Sequence, residues 1–133
     1  KSKLDSLKYY EGASLIRTAL RRKEVDFAAV EGYAYGYKNT FGMIFSLAEH
    51  CGMVKCMMIE DGVKIEVFSP SEIKKKSVGK GNSTKVPMVD EYLRTAKPED
   101  PIIELIKILG EENRYRSPVS DLVDAAWILK LIG

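Results

Sequence analysis

The chain has 133 residues and 45% of them are hydrophobic, which suits the core of a single domain spanning residues 1–133. Its 21 basic and 19 acidic residues give a net charge of +2, which excludes a strongly basic or strongly acidic protein. We expect a cytoplasmic protein, because no apolar run is long enough to span a membrane and no signal-peptide pattern opens the sequence. Cys51 and Cys56 lack zinc-site spacing and are predicted to be reduced thiols.

Apolar periodicity in the first half of the chain predicts helices alternating with strands. Residues 4–22 have helical spacing, and residues 25–31 are predicted to form a short buried strand. The loop 32–38, GYAYGYK, leads into a long helix over about 40–60. Residues 63–68 alternate in the manner of a strand. Strands separated by helices predict an α/β fold.

The second half is predicted to be helical around one basic loop. Ser69 or Ser71 can cap a short helix, with Pro70 in its first turn. Residues 74–85, KKKSVGKGNSTK, contain five lysines and a single hydrophobic residue, and predict a mobile basic loop. Three more helices are predicted, over about 84–96, 98–112 and 119–132.

Two predicted strands are few for a sheet that must stand on its own. We therefore expect further strands N-terminal to Lys1, and the absence of an initial methionine favours the same interpretation. The predicted fold class is α/β, with a mixed sheet flanked by helices whose first strands lie outside this sequence.

Three carboxylates stand where a metal site can form. Glu31 ends a buried strand, where α/β sheets place their sites, although it can also simply face solvent. Asp121 and Asp124 share one helix face and repel each other unless a cation joins them. Asp121 can alternatively be a first-turn acid favoured by the helix dipole, which explains the deeper Asp124 less well. Ligands that are all oxygen select Mg²⁺ or Mn²⁺ over zinc.

Three segments, taken together, resemble the RuvC-type Holliday junction resolvases. FAAVEGYAYGYKNTFGMIFSLAEHCGMV resembles that family's strand ending in Glu, its loop, its Lys-Asn pair and its long helix. VFSPSEIKKKSVGKGNSTK resembles the next strand, helix start and Lys/Gly-rich loop, and SDLVDAAWI resembles the closing helix. The resemblance implies an RNase H-like fold and a metal-dependent endonuclease that resolves Holliday junctions and other branched DNA.

The resemblance also implies two divalent metal ions, Mg²⁺ or Mn²⁺, held by four carboxylates. Glu31, Asp121 and Asp124 match three of these four positions. The fourth is an Asp on the family's first strand, and neither Asp5 nor Asp26 fits that position. Either the first strand precedes this sequence, or the protein is an inactive relative that binds branched DNA without cutting it.

In the family, the basic loop and the loop after the Glu strand face DNA. By resemblance we expect five lysines to bind phosphates, unless they are only solvated surface charges: Lys74, Lys75, Lys76, Lys80 and Lys85. Ala34 stands where the family has an aromatic residue thought to stack on bases. Tyr33 or Tyr35 is the expected substitute, unless both pack on the neighbouring helix. Lys38, of the Lys-Asn pair, is also expected at the DNA.

The family's long helix carries a homodimer interface. Phe41, Gly42 and Phe45 suit such a contact, although some of this helix must be core, and Gly42 and Gly52 predict close packing. A two-fold dimer presents two sites to a two-fold junction, which accounts for paired nicks. A third class stays open, a protein-interaction subunit that uses the same helix and does not bind DNA.

Overall fold

The structure is a computed structural model that describes residues 2–33 and 41–132, with only the backbone described for 2–5 and 41–44. The described residues form six α-helices, a 3₁₀ turn and two strands. In chain order these are α1 (Ser2–Arg22), β1 (Phe27–Glu31), α2 (Phe41–Glu60), β2 (Lys64–Phe68), α3 (Pro70–Val78), α4 (Lys85–Thr95), α5 (Pro101–Leu109), the 3₁₀ turn (Glu111–Asn113) and α6 (Val119–Ile132). Within these residues, none of the helices is both long and apolar enough to cross a membrane.

The chain forms two compact units, Lys1–Val67 and Phe68–Gly133. In the first unit α1 packs along α2, and β1 pairs with β2 in a small parallel sheet. Asp61, directly after α2, accepts hydrogen bonds from Arg17 and Arg21 of α1 at 2.6–3.2 Å. The bonds from Arg17, and then those from Arg21, hold the pKa of Asp61 far below its usual range. This ion cluster therefore ties the end of α1 to the end of α2.

In the second unit α6 packs against α3, α4 and α5. Val119, Val123 and Trp127 recur every four residues and are buried, so they form the inward face of α6. The indole Nε1 of Trp127 donates a hydrogen bond of 3.1 Å to the backbone carbonyl of Met88 on α4. The ring of Tyr92, one turn further along α4, meets the Trp127 ring edge to face. These contacts fix α6 against α4.

The predicted cap of α3 is confirmed. The Ser69 hydroxyl accepts from the Glu72 backbone N–H at 3.2 Å, and the Ser69 backbone N–H donates to the Glu72 carboxylate at 2.7 Å. This reciprocal pair is a capping box, with Pro70 as the first helical residue. The box begins α3 at the position that the sequence indicates.

The predicted mobile loop over 74–85 was wrong for residues 74–78 and for Lys85, which are helical. The α3 helix continues to Val78 and ends at Gly79, whose φ of 76° lies in the left-handed region that glycine favours. The reason is that Ile73 and Ser77, four residues apart, are both buried, and lysine is a good helix former. Only residues 79–84 lie between α3 and α4, because Lys85 is the first residue of α4.

The other boundaries agree with the prediction to within a few residues, with two differences. β1 starts at Phe27 rather than residue 25, and its first four residues are half-buried rather than buried. A single neighbouring strand, within the described part of the chain, covers only one edge of β1. The helix predicted over 98–112 is shorter, beginning at Pro101 and ending at Leu109, and Gly110 is its C-cap.

Candidate active site

The two aspartates of α6 differ in their burial. The buried face of Val119, Val123 and Trp127 sets the rotation of the helix and directs Asp121 and Asp124 to an adjoining face. The Asp121 side chain is 60% exposed, whereas that of Asp124 is only 26% exposed. Because both lie on the same side of the helix, their carboxylates are placed to share one cation.

The cation beside this pair is the ammonium group of Lys85. Its Nζ lies 3.6 Å from Asp121 Oδ1 and 3.7 Å from Asp124 Oδ2. The same Nζ donates to the hydroxyl of Ser120 at 3.4 Å. We call Asp121, Asp124 and Lys85 the acid–lysine cluster. Ser117, before the helix, donates a hydrogen bond to Asp121.

Burial raises the pKa of Asp124 above its ordinary value. The positive charge of Lys85 lowers this pKa, and the negative charge of Asp121 raises it. Lys74 on α3 also lowers it through its charge, so two of the predicted DNA-binding lysines, Lys74 and Lys85, act electrostatically on Asp124. The half-buried carboxylate of Asp124 therefore gains from any cation placed beside it.

The donor atoms of the pair fit a hard divalent cation. Asp121 and Asp124 offer carboxylate oxygens, and Ser120 adds a hydroxyl beside them. Mg²⁺ is commonly bound by one or two carboxylates together with waters, so two aspartates match the number and type of protein ligands in such a site. Among the side chains that the structure describes, those of residues 6–33 and 45–132, no group of three or more His, Cys, Asp or Glu is arranged to hold a metal.

Glu31 is the last residue of β1 and is exposed, so its predicted position at a strand end is confirmed. It belongs to the first unit, whereas the acid–lysine cluster belongs to the second. Its role as a ligand in the same metal site stays a prediction.

The five predicted DNA-binding lysines are distributed over two helices and the segment between them. Lys74, Lys75 and Lys76 lie on α3, Lys80 lies between the helices, and Lys85 starts α4. Lys75 and Lys76 are exposed in the last turn of α3, where positive charge is favoured by the helix dipole. The helix dipole by itself accounts for lysines at these two positions, so their contacts with DNA phosphates stay a prediction.

Tyr33 packs partly on the neighbouring helix, which is the alternative to base stacking that the sequence left open. Its hydroxyl donates to the backbone carbonyl of Ala48 at 3.5 Å, and Lys55 Nζ lies 5.2 Å from its ring centroid. The residue is still 39% exposed. Tyr35 and Lys38 lie outside the described residues.

An exposed stripe runs along α2. Its members follow helical spacing and are Phe45, Glu49, Gly52, Cys56 and Ile59. Phe45 is 64% exposed, and a Cβ built on Gly52 would meet no described atom within 4 Å. The close packing predicted at Gly52 is therefore wrong within this chain, because that face of α2 is open. The side chains of Phe41 and Gly42 lie outside the described part, and the dimer stays a prediction.

The sequence prediction missed one functional feature, the pairing of Lys85 with the two aspartates. The sequence predicts Lys85 only as a contact to DNA phosphates. A signal was available, because a lysine in the first turn of a helix opposes the helix dipole and needs a compensating negative partner.

The elements and the acid pair define a mixed α/β protein with a candidate cation site at the start of its last helix. No family model and no curated protein matches the chain. Among solved structures it is similar to Thermus thermophilus RuvC, with a TM-score of 0.62 and 18% identity over 93% of this chain and 66% of that one. It is also similar to T. thermophilus RuvC in complex with Holliday junction substrate, with a TM-score of 0.60 and 18% identity over 96% of this chain and 67% of the other.

The chain therefore has a RuvC-like fold, and the predicted resemblance is confirmed at the level of the fold. The chain spans about two thirds of the length of the RuvC chains that it matches.

Proposed function

We propose that this chain belongs to a metal-dependent endonuclease that resolves Holliday junctions and other branched DNA by paired nicks. The observation that carries the proposal is a carboxylate pair, Asp121 and Asp124, at the start of the last helix of a RuvC-like fold. The half-buried Asp124 has an environment that favours a bound cation. One of the similar structures is RuvC bound to a Holliday junction substrate, which supports branched DNA as the ligand class.

In this proposal Glu31, Asp121 and Asp124 hold two Mg²⁺ or Mn²⁺ ions, and the fourth carboxylate comes from outside this sequence. When bound, such ions activate water and stabilise the leaving oxygen of a cleaved phosphodiester. Asp124 would hold a metal from a half-buried position and Asp121 from an exposed one. The buried hydrogen bond from Trp127 to Met88 fixes α6, which carries the pair, against α4.

DNA binding in this proposal is mainly electrostatic. Lys75 and Lys76 project exposed ammonium groups from α3, and Lys80 adds a third in the segment that follows. Lysines carry point charges that suit phosphate oxygens and carry no base-specific pattern. Tyr33, a partly exposed aromatic residue, stacks on an unpaired base, a contact worth about 1–3 kcal/mol in other proteins.

Two copies of the chain are proposed to associate through the exposed stripe of α2. Phe45 and Ile59 supply apolar area at its two ends, and Gly52 leaves room for a close approach of a second helix. Sedimentation analysis of Phe45→Glu tests this, with Leu15→Glu, at an even more exposed apolar site on α1, as the control. Unchanged association of Phe45→Glu would contradict the proposed interface.

The test of the enzymatic proposal is cleavage of a labelled four-way junction by the complete protein in Mg²⁺ or Mn²⁺. Asp124→Asn is expected to abolish nicking while retaining junction binding. Glu104→Gln removes an exposed acid that pairs with Lys107 on α5, and this control is expected to cut normally. Nicking by Asp124→Asn at the wild-type rate would refute the assigned role of the pair.

A second candidate, an inactive relative that binds branched DNA, is favoured by one observation. Lys85 already supplies a positive charge to both aspartates, as expected where no metal is needed. This candidate predicts junction binding that is unaffected by EDTA and no nicking in Mn²⁺. Binding that is absent at every salt concentration would exclude both candidates and favour a protein-interaction subunit.

A further inference from the structure

In the acid–lysine cluster, the ammonium group of Lys85 lies near both carboxylates but is bound tightly by neither. Separations of 3.6 and 3.7 Å exceed those of a strong charge-assisted hydrogen bond. The Lys85 side chain is 56% exposed, so water competes for its ammonium group. Exposed ion pairs of this kind are individually weak, and a divalent ion can displace them.

The position of Lys85 is set by the fold. It is the first residue of α4, and α4 is fixed against α6 by the hydrogen bond from Trp127 to Met88. A positive charge at a helix start is disfavoured by the dipole, and the two carboxylates offset this cost. The flexible stem of lysine lets the ammonium group move away without any movement of α4.

We propose that Lys85 is a displaceable counter-ion, which holds the two aspartates close together in the metal-free protein and competes with a divalent metal for them. This inference rests on the proposed function, because it assigns a regulator of metal binding to the same site. The metal affinity is then set by the difference between the binding free energies of the metal and of the Lys85 ammonium group at the two carboxylates. It is not set by the carboxylates alone. Loss of the ammonium charge strengthens metal binding and weakens the metal-free fold.

The experiment is a calorimetric titration of the complete protein with Mn²⁺. Lys85→Met, which retains the length and apolar stem of the side chain, is expected to bind Mn²⁺ about three- to tenfold more tightly than wild type, as loss of a weak ionic competitor implies. Lys85→Arg keeps the charge and is expected to retain an affinity close to wild type. Lys107→Met, which breaks the Lys107–Glu104 pair on α5, is the control and leaves Mn²⁺ affinity unchanged.

Thermal unfolding gives a second readout that does not depend on activity. In EDTA, Lys85→Met is expected to melt at a lower temperature than wild type, because Asp121 and Asp124 then repel each other without a cation. Added Mn²⁺ is expected to raise the melting temperature of Lys85→Met by more than that of wild type. Should Lys85→Met fail to fold, Lys85→Gln carries the same predictions.

The outcomes separate this inference from the proposed function. Mn²⁺ binding that is lost in Asp124→Asn but equal or weaker in Lys85→Met overturns the counter-ion role and leaves the proposed metal site intact. Absence of Asp124-dependent Mn²⁺ binding in both wild type and Lys85→Met overturns the metal site and the counter-ion together. Tighter binding in Lys85→Met that disappears when Asp124→Asn is added supports both.

Discussion

Trp127 links the helix that carries the acid pair to the helix that carries Lys85, so its substitution tests what holds the cluster together. The residue is only 5% exposed, and its indole N–H reaches the Met88 carbonyl. Lys130 Nζ lies 4.3 Å from the centroid of the Trp127 ring and adds a cation–π contact. We expect Trp127 to be a principal stabilising residue of the second unit.

The size of the effect follows from these contacts. Trp127→Phe keeps an aromatic ring but removes the hydrogen bond and part of the buried surface, for a total cost of about 1–3 kcal/mol. Trp127→Ala also leaves a cavity and is expected to cost about 3–5 kcal/mol in free energy of unfolding. Leu129→Ala, at a site of the same helix that is 67% exposed, is the control and is expected to change stability by less than about 0.5 kcal/mol.

Urea unfolding followed by far-UV circular dichroism measures all three variants. The chain has a single tryptophan, so wild-type fluorescence reports the environment of Trp127 alone. Coincident transitions by the two probes support a two-state analysis. A loss in Trp127→Ala no greater than in Leu129→Ala would refute the argument that this side chain joins α6 to α4.

Three further predictions concern α3, the ion cluster of the first unit and DNA. Ser69→Ala removes the capping box and is expected to lower the free energy of unfolding by about 0.5–2 kcal/mol, measured in urea. The depressed pKa of Asp61 stabilises the fold at neutral pH, a contribution lost as pH falls through the folded-state pKa. The difference in melting temperature between wild type and Asp61→Asn should therefore be fully present near pH 7 and should begin to shrink only as the pH falls below about 3.8, the ordinary value. The double variant Lys75→Ala/Lys76→Ala should weaken junction binding and reduce the slope of log affinity against log salt by about 0.9 per lysine. Fluorescence anisotropy measures both quantities, and Lys97→Ala, the control, should leave them unchanged.

Periodic local signals predicted most of the elements, and the errors have physical causes. The long α2 and the final α6 carry apolar residues at helical spacing, so their ends were placed to within a residue. Residues 74–78 were assigned to a loop because their composition is basic and polar. The burial of Ile73 and Ser77 on one face outweighed that composition. The burial of β1 depends on neighbouring strands, which local pattern does not supply.

The acid pair was predictable from sequence and its partner was not. Asp121 and Asp124 stand at a spacing that dictates a shared helix face. Lys85 meets them only because α4 packs on α6, a contact between segments far apart in sequence. Long-range packing of this kind leaves a weak local trace, here a cation at the unfavourable end of a helix.

The contacts that stabilise the second unit also determine what the acid pair can bind. The buried face of α6 places Asp124 half-buried and leaves Asp121 exposed, so ionisation of Asp124 is disfavoured without a nearby cation. Lys85 meets that need with no ligand present. In the proposed function a metal ion therefore replaces an existing positive charge at the pair. We expect the affinity of the pair for Mg²⁺ to be lower than its carboxylates alone would give, because the ammonium group of Lys85 must first move away.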